Sequence, residues 1–283
     1  MLKLQKFNIS WVLSTQNCAR MIEQLDTLKE VACMQIHHIK GYIQTILLVE
    51  YPDKLMLLDG GCRCDVPVIK TFITDTLQRD IGDLKLVLVS HMHPDHAGGA
   101  HLLRKQFGCQ IASVGFEKQW YQGFKGRIAH SIDVMLALYV ARRKGKKWQN
   151  IYYHPHLKPD VILQDQALVP EFDEWMVHFT PGHTDRDLSF LHQPTQLMYV
   201  GDMILKLRNK FTSPFPIYQP DAYKQSLNKL LQLNITKILM AHDGYSDINA
   251  ADIQLLINKS TNHPLTVANV IKYKLAKRKT NHS

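Results

Sequence analysis

The chain is predicted to adopt an α/β fold, on three observations. Residues 84–89 form an apolar, β-branched run typical of a strand buried on both faces, and the turn after it leads into helical spacing at Leu102, Leu103 and Phe107. Further strand-like runs occur at 43–50, 54–58, 109–114, 175–179, 197–199 and 238–239, several of them ending beside a Gly or Asp-Gly turn. The 283 residues, 45% hydrophobic and 21% charged, suffice for a sizeable core in a single domain spanning 1–283.

In chain order, Cys18, Met21, Ile22, Leu25 and Leu28 predict a leading helix over 17–29. Residues 31–38, 43–50 and 54–58 predict a β-meander with turns at Lys40-Gly41 and Pro52-Asp53. A helix is expected over 67–77, with Asp65 as its cap and Pro67 in the first turn, where a missing N–H costs nothing. After the strands at 84–89 and 109–114, about residues 117–158 are predicted to be a helical insertion. Within it, Ile128, Ile132, Met135 and Tyr139 form one stripe, which Val134, Leu136, Leu138 and Val140 widen until the helix is apolar nearly all round. Such a helix needs cover on more than one side, as core, as a homodimer interface or as a lid lining an apolar pocket. Strands resume at 161, a Pro-punctuated aromatic loop occupies 211–218, and an amphipathic helix with Tyr223, Leu227, Leu230 and Leu231 covers 221–233. Two last helices, 247–256 and 265–275, make up a C-terminal region over 247–277.

The eight-residue apolar run 134–141 is far short of a membrane span. The amino terminus lacks the pattern of an export signal, and five cysteines at low density suit a reducing compartment, so a cytoplasmic location is expected. Cys62-Arg63-Cys64 is most simply a packed turn, and His154-Pro155-His156 a surface loop or one that touches substrate. The net charge of +9 is local: Arg142, Arg143, Lys144, Lys146 and Lys147, with Lys272, Lys274, Lys277, Arg278 and Lys279, hold ten of the 34 Lys and Arg, leaving 24 positive against 25 negative. These clusters are solvated ends or face an acidic partner such as an anionic substrate or phospholipid headgroups. Without an aromatic-rich basic stripe or a recognisable module, nucleic acid is disfavoured and a small-molecule substrate is expected.

The chemistry centres on Ser90-His91-Met92-His93-Pro94-Asp95-His96, directly after the buried strand. Three imidazoles and a carboxylate within six residues offer neutral nitrogens and a hard oxygen to one or two borderline cations such as Zn²⁺, and the cluster is costly without such a charge. The H-x-H-x-D-H pattern resembles the signature of the metallo-β-lactamase superfamily.

That resemblance, over about residues 31–245, implies a four-layer αββα sandwich and further ligands downstream. His183 in Pro181-Gly182-His183-Thr184, Asp202 in Val200-Gly201-Asp202 and His242 in Ala241-His242-Asp243-Gly244 meet the demand, each at a strand end beside a turn. The implied site holds two Zn²⁺, with iron or manganese as alternatives: His91, His93 and His183 on one ion, Asp95, His96 and His242 on the other, Asp202 bridging. Asp59, in Leu57-Leu58-Asp59-Gly60-Gly61, matches a position that orients the ligands. The bridging Asp202 is similar to that of hydroxyacylglutathione hydrolases (glyoxalase II), lactonases and phosphodiesterases rather than true β-lactamases. The 211–218 loop falls where family members often build a substrate wall.

The implied activity is hydrolysis of an ester, thioester or lactone by a metal-bridging hydroxide, with Asp95 orienting the nucleophile and moving its proton. No G-x-S-x-G elbow argues for a serine nucleophile. A phosphodiesterase is the alternative. A mononuclear iron dioxygenase of the persulfide type, using the positions of His91, His183 and Asp202, gains no support from the second set with His242.

Overall fold

The computed structural model describes residues 34–115, 118–266 and 269. The leading helix expected at 17–29 lies outside them, as do the tail lysines and nearly all of 265–275, of which Leu265 pairs with Ile217 in an isolated antiparallel bridge.

The first sheet follows the chain: β1 (Gln35–Lys40), β2 (Thr45–Glu50), β3 (Leu55–Leu58), β4 (Leu84–Leu88), β5 (Gln110–Val114) and β6 (Val161–Leu163). The first three strands form the predicted antiparallel meander, whereas β3 to β6 run parallel. Parallel neighbours need crossovers, supplied by helices α1 (Val66–Thr71), α2 (Ala100–Phe107) and α3 (Gly123–Arg143). The next strands are β7 (Leu168–Val169), β8 (Phe172–Phe179), β9 (Leu188–His192) and β10 (Leu197–Tyr199), then a small hairpin, β11 (Leu205–Leu207) with β12 (Lys210–Thr212). Helix α4 (Pro220–Gln232) leads to β13 (Lys237–Met240), β14 (Gly244–Asp247) and α5 (Ala250–Lys259). The second sheet has the order β14-β13-β10-β9-β8-β7, with β10 and β13 parallel.

Strand alternation sorts the apolar residues into three successive cores. On β2, Ile46 and Leu48 pack with Ile69 and Leu103 under the helices of the first sheet. Leu47 and Val49 pack instead with Trp175, Val177 and Phe190 between the two sheets. On the far side, Met198, Ile238 and Met240 meet Tyr223, Leu227 and Ile253 of α4 and α5. Three cores separate four layers, helix, sheet, sheet, helix, which is the predicted architecture.

Three expectations need correction. Asp65 stands at the cap position of α1, but its carboxylate accepts from the backbone N–H of Tyr42 at 2.7 Å and of Cys62 at 2.8 Å, pinning the first hairpin to the helix start. The helix expected over 247–256 begins at Ala250, because Asn249 and Asp252 close a reciprocal capping box, and Asp247 ends β14. On α3, Ile128, Met135 and Tyr139 are 47%, 60% and 60% exposed, and the buried face is His130, Asp133, Val134, Ala137 and Ala141. The two alanines let the helix lie close to the core it shares with Tyr121 and Tyr153, so the larger apolar residues turn outward.

Leu58 is fully buried between the sheets. Leu58→Ala is expected to cost about 2–5 kcal/mol, read as a lower urea midpoint with an unchanged slope.

Candidate metal centre

The carboxyl ends of β4, β8, β10 and β13 share one edge of the sandwich, and the turn after each carries one or more of the sequence-predicted residues. The longest of these turns is held very close to the Asp59-Gly60 turn. A Cβ on Gly99 would meet the Gly60 carbonyl at 2.3 Å, and one on Gly98 the Pro94 carbonyl at 2.1 Å, so only glycine lets this loop close.

All seven predicted ligand residues meet there, in two groups: His91, His93, His183 and Asp202, and Asp95, His96 and His242. His93 Nδ1 lies 3.0 Å from His91 Nε2 and 2.9 Å from His183 Nε2. Asp202 spans the groups: Oδ2 is 3.8 Å from His183 Nε2, and Oδ1 is 3.2 Å from His96 Nε2 and 3.3 Å from His242 Nε2. Asp95 Oδ2 approaches His242 Nε2 at 3.4 Å.

The outer nitrogens decide which lone pairs point inward. Asp59, wholly buried after β3, accepts from the Ser90 N–H at 2.7 Å, the Ser90 hydroxyl at 2.8 Å, His96 Nδ1 at 2.6 Å and the Tyr199 hydroxyl. With its hydroxyl hydrogen spent on Asp59, Ser90 Oγ accepts from His91 Nδ1 at 3.0 Å. His183 Nδ1 donates to the Pro216 carbonyl at 2.7 Å. Each ring is thereby held as the tautomer whose Nε2 lone pair faces the cluster. Asp187 braces the His183 turn, accepting from the Thr184 N–H and hydroxyl at 2.6 Å each.

Electrostatics mark the same spot as one that takes positive charge. Burial, reinforced by neighbouring imidazoles, holds His91 and His93 well below the usual histidine range, so both are neutral donors. Burial acts to lower His96 and His242 as well, but Asp202 above all, with Asp59 and Asp95 at His96 and Asp95 at His242, raises them. Asp202 is pulled well below the carboxylate range, against its burial, by His96 and His242. His96 Nε2 and Asp202 Oδ1, 3.2 Å apart, are also buried without a hydrogen bond of good geometry. Converging neutral imidazoles, carboxylates and these two orphaned atoms fit divalent cations of the Zn²⁺ type.

Above the cluster lies a cavity of about 520 Å³, whose walls include Leu136 and Val140 of α3, Leu205, Leu207, Phe215 and Pro216. The 211–218 loop thus does supply a wall. His154 and His156 do not line the cavity; the His156 N–H donates to His154 Nδ1 within their own loop. Cys62 and Cys64 are free thiols in neither ligand group among the described residues.

Sequence reasoning assigned no role to Tyr153, whose hydroxyl donates to the Met92 carbonyl and fastens the insertion to the ligand loop. It also passed over Asp133, a carboxyl in the cavity wall that accepts from the Tyr121 hydroxyl at 2.8 Å. An acidic residue inside an apolar helix was the available signal. Burial pushes Asp133 up from 3.8 to about 6. A raised carboxyl favours the protonated folded chain, so its ionisation destabilises as pH climbs through this window, by roughly 3 kcal/mol at most. Asp133→Asn is therefore expected to match the unaltered protein in stability near pH 4 and to exceed it at pH 7, measured by urea unfolding at both values.

Comparison with known proteins agrees with this geometry. The family model described as "Metallo-beta-lactamase superfamily" matches residues 39–242. A protein described as "Probable metallo-hydrolase YflN" of Bacillus subtilis (strain 168) is 22% identical over 230 residues, 75% of this chain and 84% of its own. Among solved structures, the superfamily protein ST1585 of Sulfolobus tokodaii superposes with a TM-score of 0.57 at 16% identity, covering 80% of this chain and 86% of its own. BJP-1, a subclass B3 metallo-β-lactamase of Bradyrhizobium japonicum, gives 0.52 at 17% identity, covering 89% and 94%. These two likenesses concern the fold, and the family match, which spans well over half of the chain, carries the assignment: the chain belongs to the metallo-β-lactamase superfamily.

Proposed function

We propose that this chain is a dinuclear metallo-hydrolase, with two zinc ions as cofactors, that cleaves an ester, thioester or lactone bond of a substrate with an apolar acyl portion. Superfamily membership supports a metal-dependent hydrolase in general, and the description of the Bacillus relative points the same way. The observation that carries the finer reading is the union of the seven-residue cluster with apolar walls: its floor is polar and its sides are Leu136, Val140, Leu205, Leu207 and Phe215. An acyl chain gains from those walls, whereas a compact polar substrate does not.

In this reading His91, His93 and His183 would hold one ion and Asp95, His96 and His242 the other, with Asp202 shared between them. Bound there, the ions supply an acidified water and a Lewis acid for the substrate carbonyl. The chain's own residues do the rest. Ser90, Asp59 and the Pro216 carbonyl keep the imidazoles aimed, so little reorganisation is left for the reaction. Asp95, at the cavity floor, orients the attacking water and takes up its proton. The α3 wall excludes bulk water from the reacting carbonyl.

Elemental analysis of protein purified without added metal is expected to give two zinc ions per chain, with turnover of medium-chain esters, thioesters or lactones above that of phosphodiesters. Asp202→Ala should lower occupancy of both positions; two ions retained in that variant would remove the bridge. Asp95→Asn should fold normally and lose about 10²-fold or more in kcat; a kcat within a factor of three would strip Asp95 of its role.

A further inference from the structure

Adjoining the cavity over the cluster is a second cleft of about 490 Å³, lined mainly by polar and charged residues. Its lining includes Lys40 and Gln44 of the first hairpin, Lys144 and Lys146 of the basic stretch after α3, and Asp243. It shares Ile43, Lys144, His242 and Asp243 with the cavity over the cluster, so a group seated here lies next to a reacting bond.

Two features set the cleft apart from an ordinary solvated basic patch. The ammonium groups are held in place: Lys144 Nζ donates to the Ile43 carbonyl at 2.6 Å and Lys146 Nζ to the Gly41 carbonyl at 2.9 Å. Each keeps two further N–H donors. Lys40 adds a third ammonium with no partner among the described residues. The second feature is Gln44, only 3% exposed, whose carboxamide oxygen and nitrogen both lack a hydrogen-bond partner. A buried amide left unpaired in a cleft wall points to a ligand that supplies the partner. Three lysines and one aspartate, Asp243, line the cleft; Asp243 accepts from the Lys206 N–H at 2.8 Å and the buried Asp65 carboxylate also acts on Lys146, so the lining itself carries an excess of two positive charges.

We infer that this cleft is a binding subsite for a phosphate monoester dianion carried on the leaving portion of the substrate. The inference rests on the proposed hydrolase reading and gives it a substrate class: an apolar acyl group in the cavity, the scissile bond over the cluster, and a phosphorylated thiol or alcohol reaching into the cleft. The Gln44 amide N–H₂ and the ammonium groups donate to the phosphate oxygens, and a dianion matches the excess charge. The basic stretch after α3 is thus a recognition element rather than a solvated helix end.

The test uses three octanoyl thioesters that differ in the thiol: N-acetylcysteamine, which is neutral, 3-mercaptopropionate, a monoanion, and pantetheine 4′-phosphate, a dianion. Full-length protein should show a kcat/KM at least tenfold higher for the phosphorylated ester than for the neutral one, through KM, and a preference that shrinks with added salt. Lys40→Gln with Lys146→Gln should collapse that ratio, and Lys40→Arg with Lys146→Arg should restore most of it. Calorimetric titration of the same proteins with free pantetheine 4′-phosphate reads the cleft without catalysis, and the glutamine pair should weaken binding at least tenfold. Equal kcat/KM for the neutral and phosphorylated esters would overturn the subsite. A monoanion as good as the dianion would overturn the phosphate assignment. If no ester is cleaved but the phosphorylated thiol binds in a lysine-dependent way, the hydrolase reading fails and the cleft stands. Absence of both turnover and binding would sink the two together.

Discussion

The constraint on which the site depends is the burial of the Asp59 carboxylate. A wholly enclosed carboxylate is tolerable only if its oxygens are saturated with donors, and Asp59 collects four of them from three residues in two parts of the chain. Ser90 and His96 belong to the loop after β4, Tyr199 to the opposite sheet. The carboxylate therefore fastens one sheet to the other at the edge where the cluster forms, and through Ser90 it also settles the tautomer of His91. Its own backbone sits at φ 69°, a conformation that non-glycine residues adopt seldom. Strain, charge burial and ligand orientation are concentrated in one residue.

Much of this was legible in the chain because it is local. Strand period, the Gly-rich turns and the H-x-H-x-D-H spacing are properties of short stretches, and they located most strands of the first sheet, with β8, β10 and β13 of the second, and brought the cluster residues into view. What was hidden depends on contacts between distant segments. Asp65 reads as a cap, yet its partner Tyr42 lies 23 residues away, and a tertiary hydrogen bond wins over the local one. The outward face of α3 could not be chosen from a helix apolar nearly all round; the aromatic groups of Tyr121 and Tyr153 and the small Ala137 and Ala141 made the choice. Lys144 and Lys146 looked like a solvated end because their carbonyl partners stand 101 and 105 residues upstream.

The architecture divides labour between layers. Parallel strands and their crossovers deliver side chains to a common edge, and the mixed second sheet brings the remaining cluster residues to the same rim. The seven side chains of the cluster all come from these strand ends. What touches the space above it comes from elsewhere: the insertion, the β11–β12 hairpin, the Pro-punctuated loop and the first hairpin. The cluster is built at the sheet edge, and the space above it is shaped by the added segments.

Helix α3 stands wholly on the second side of that division. Tyr121 grips it through Asp133, Lys144 and Lys146 bind its following turn to the first hairpin, and Tyr153 ties the returning segment to the ligand loop. A wall fastened at so many points behaves as a fixed die rather than a hinged flap, and what enters is decided by side-chain volume instead of by closure. Because none of those fastenings uses the side chains of Leu136, Tyr139 or Val140, the die can be recut: residues on that face are free to be exchanged in a laboratory search for new substrates while the edge that carries the cluster keeps its form.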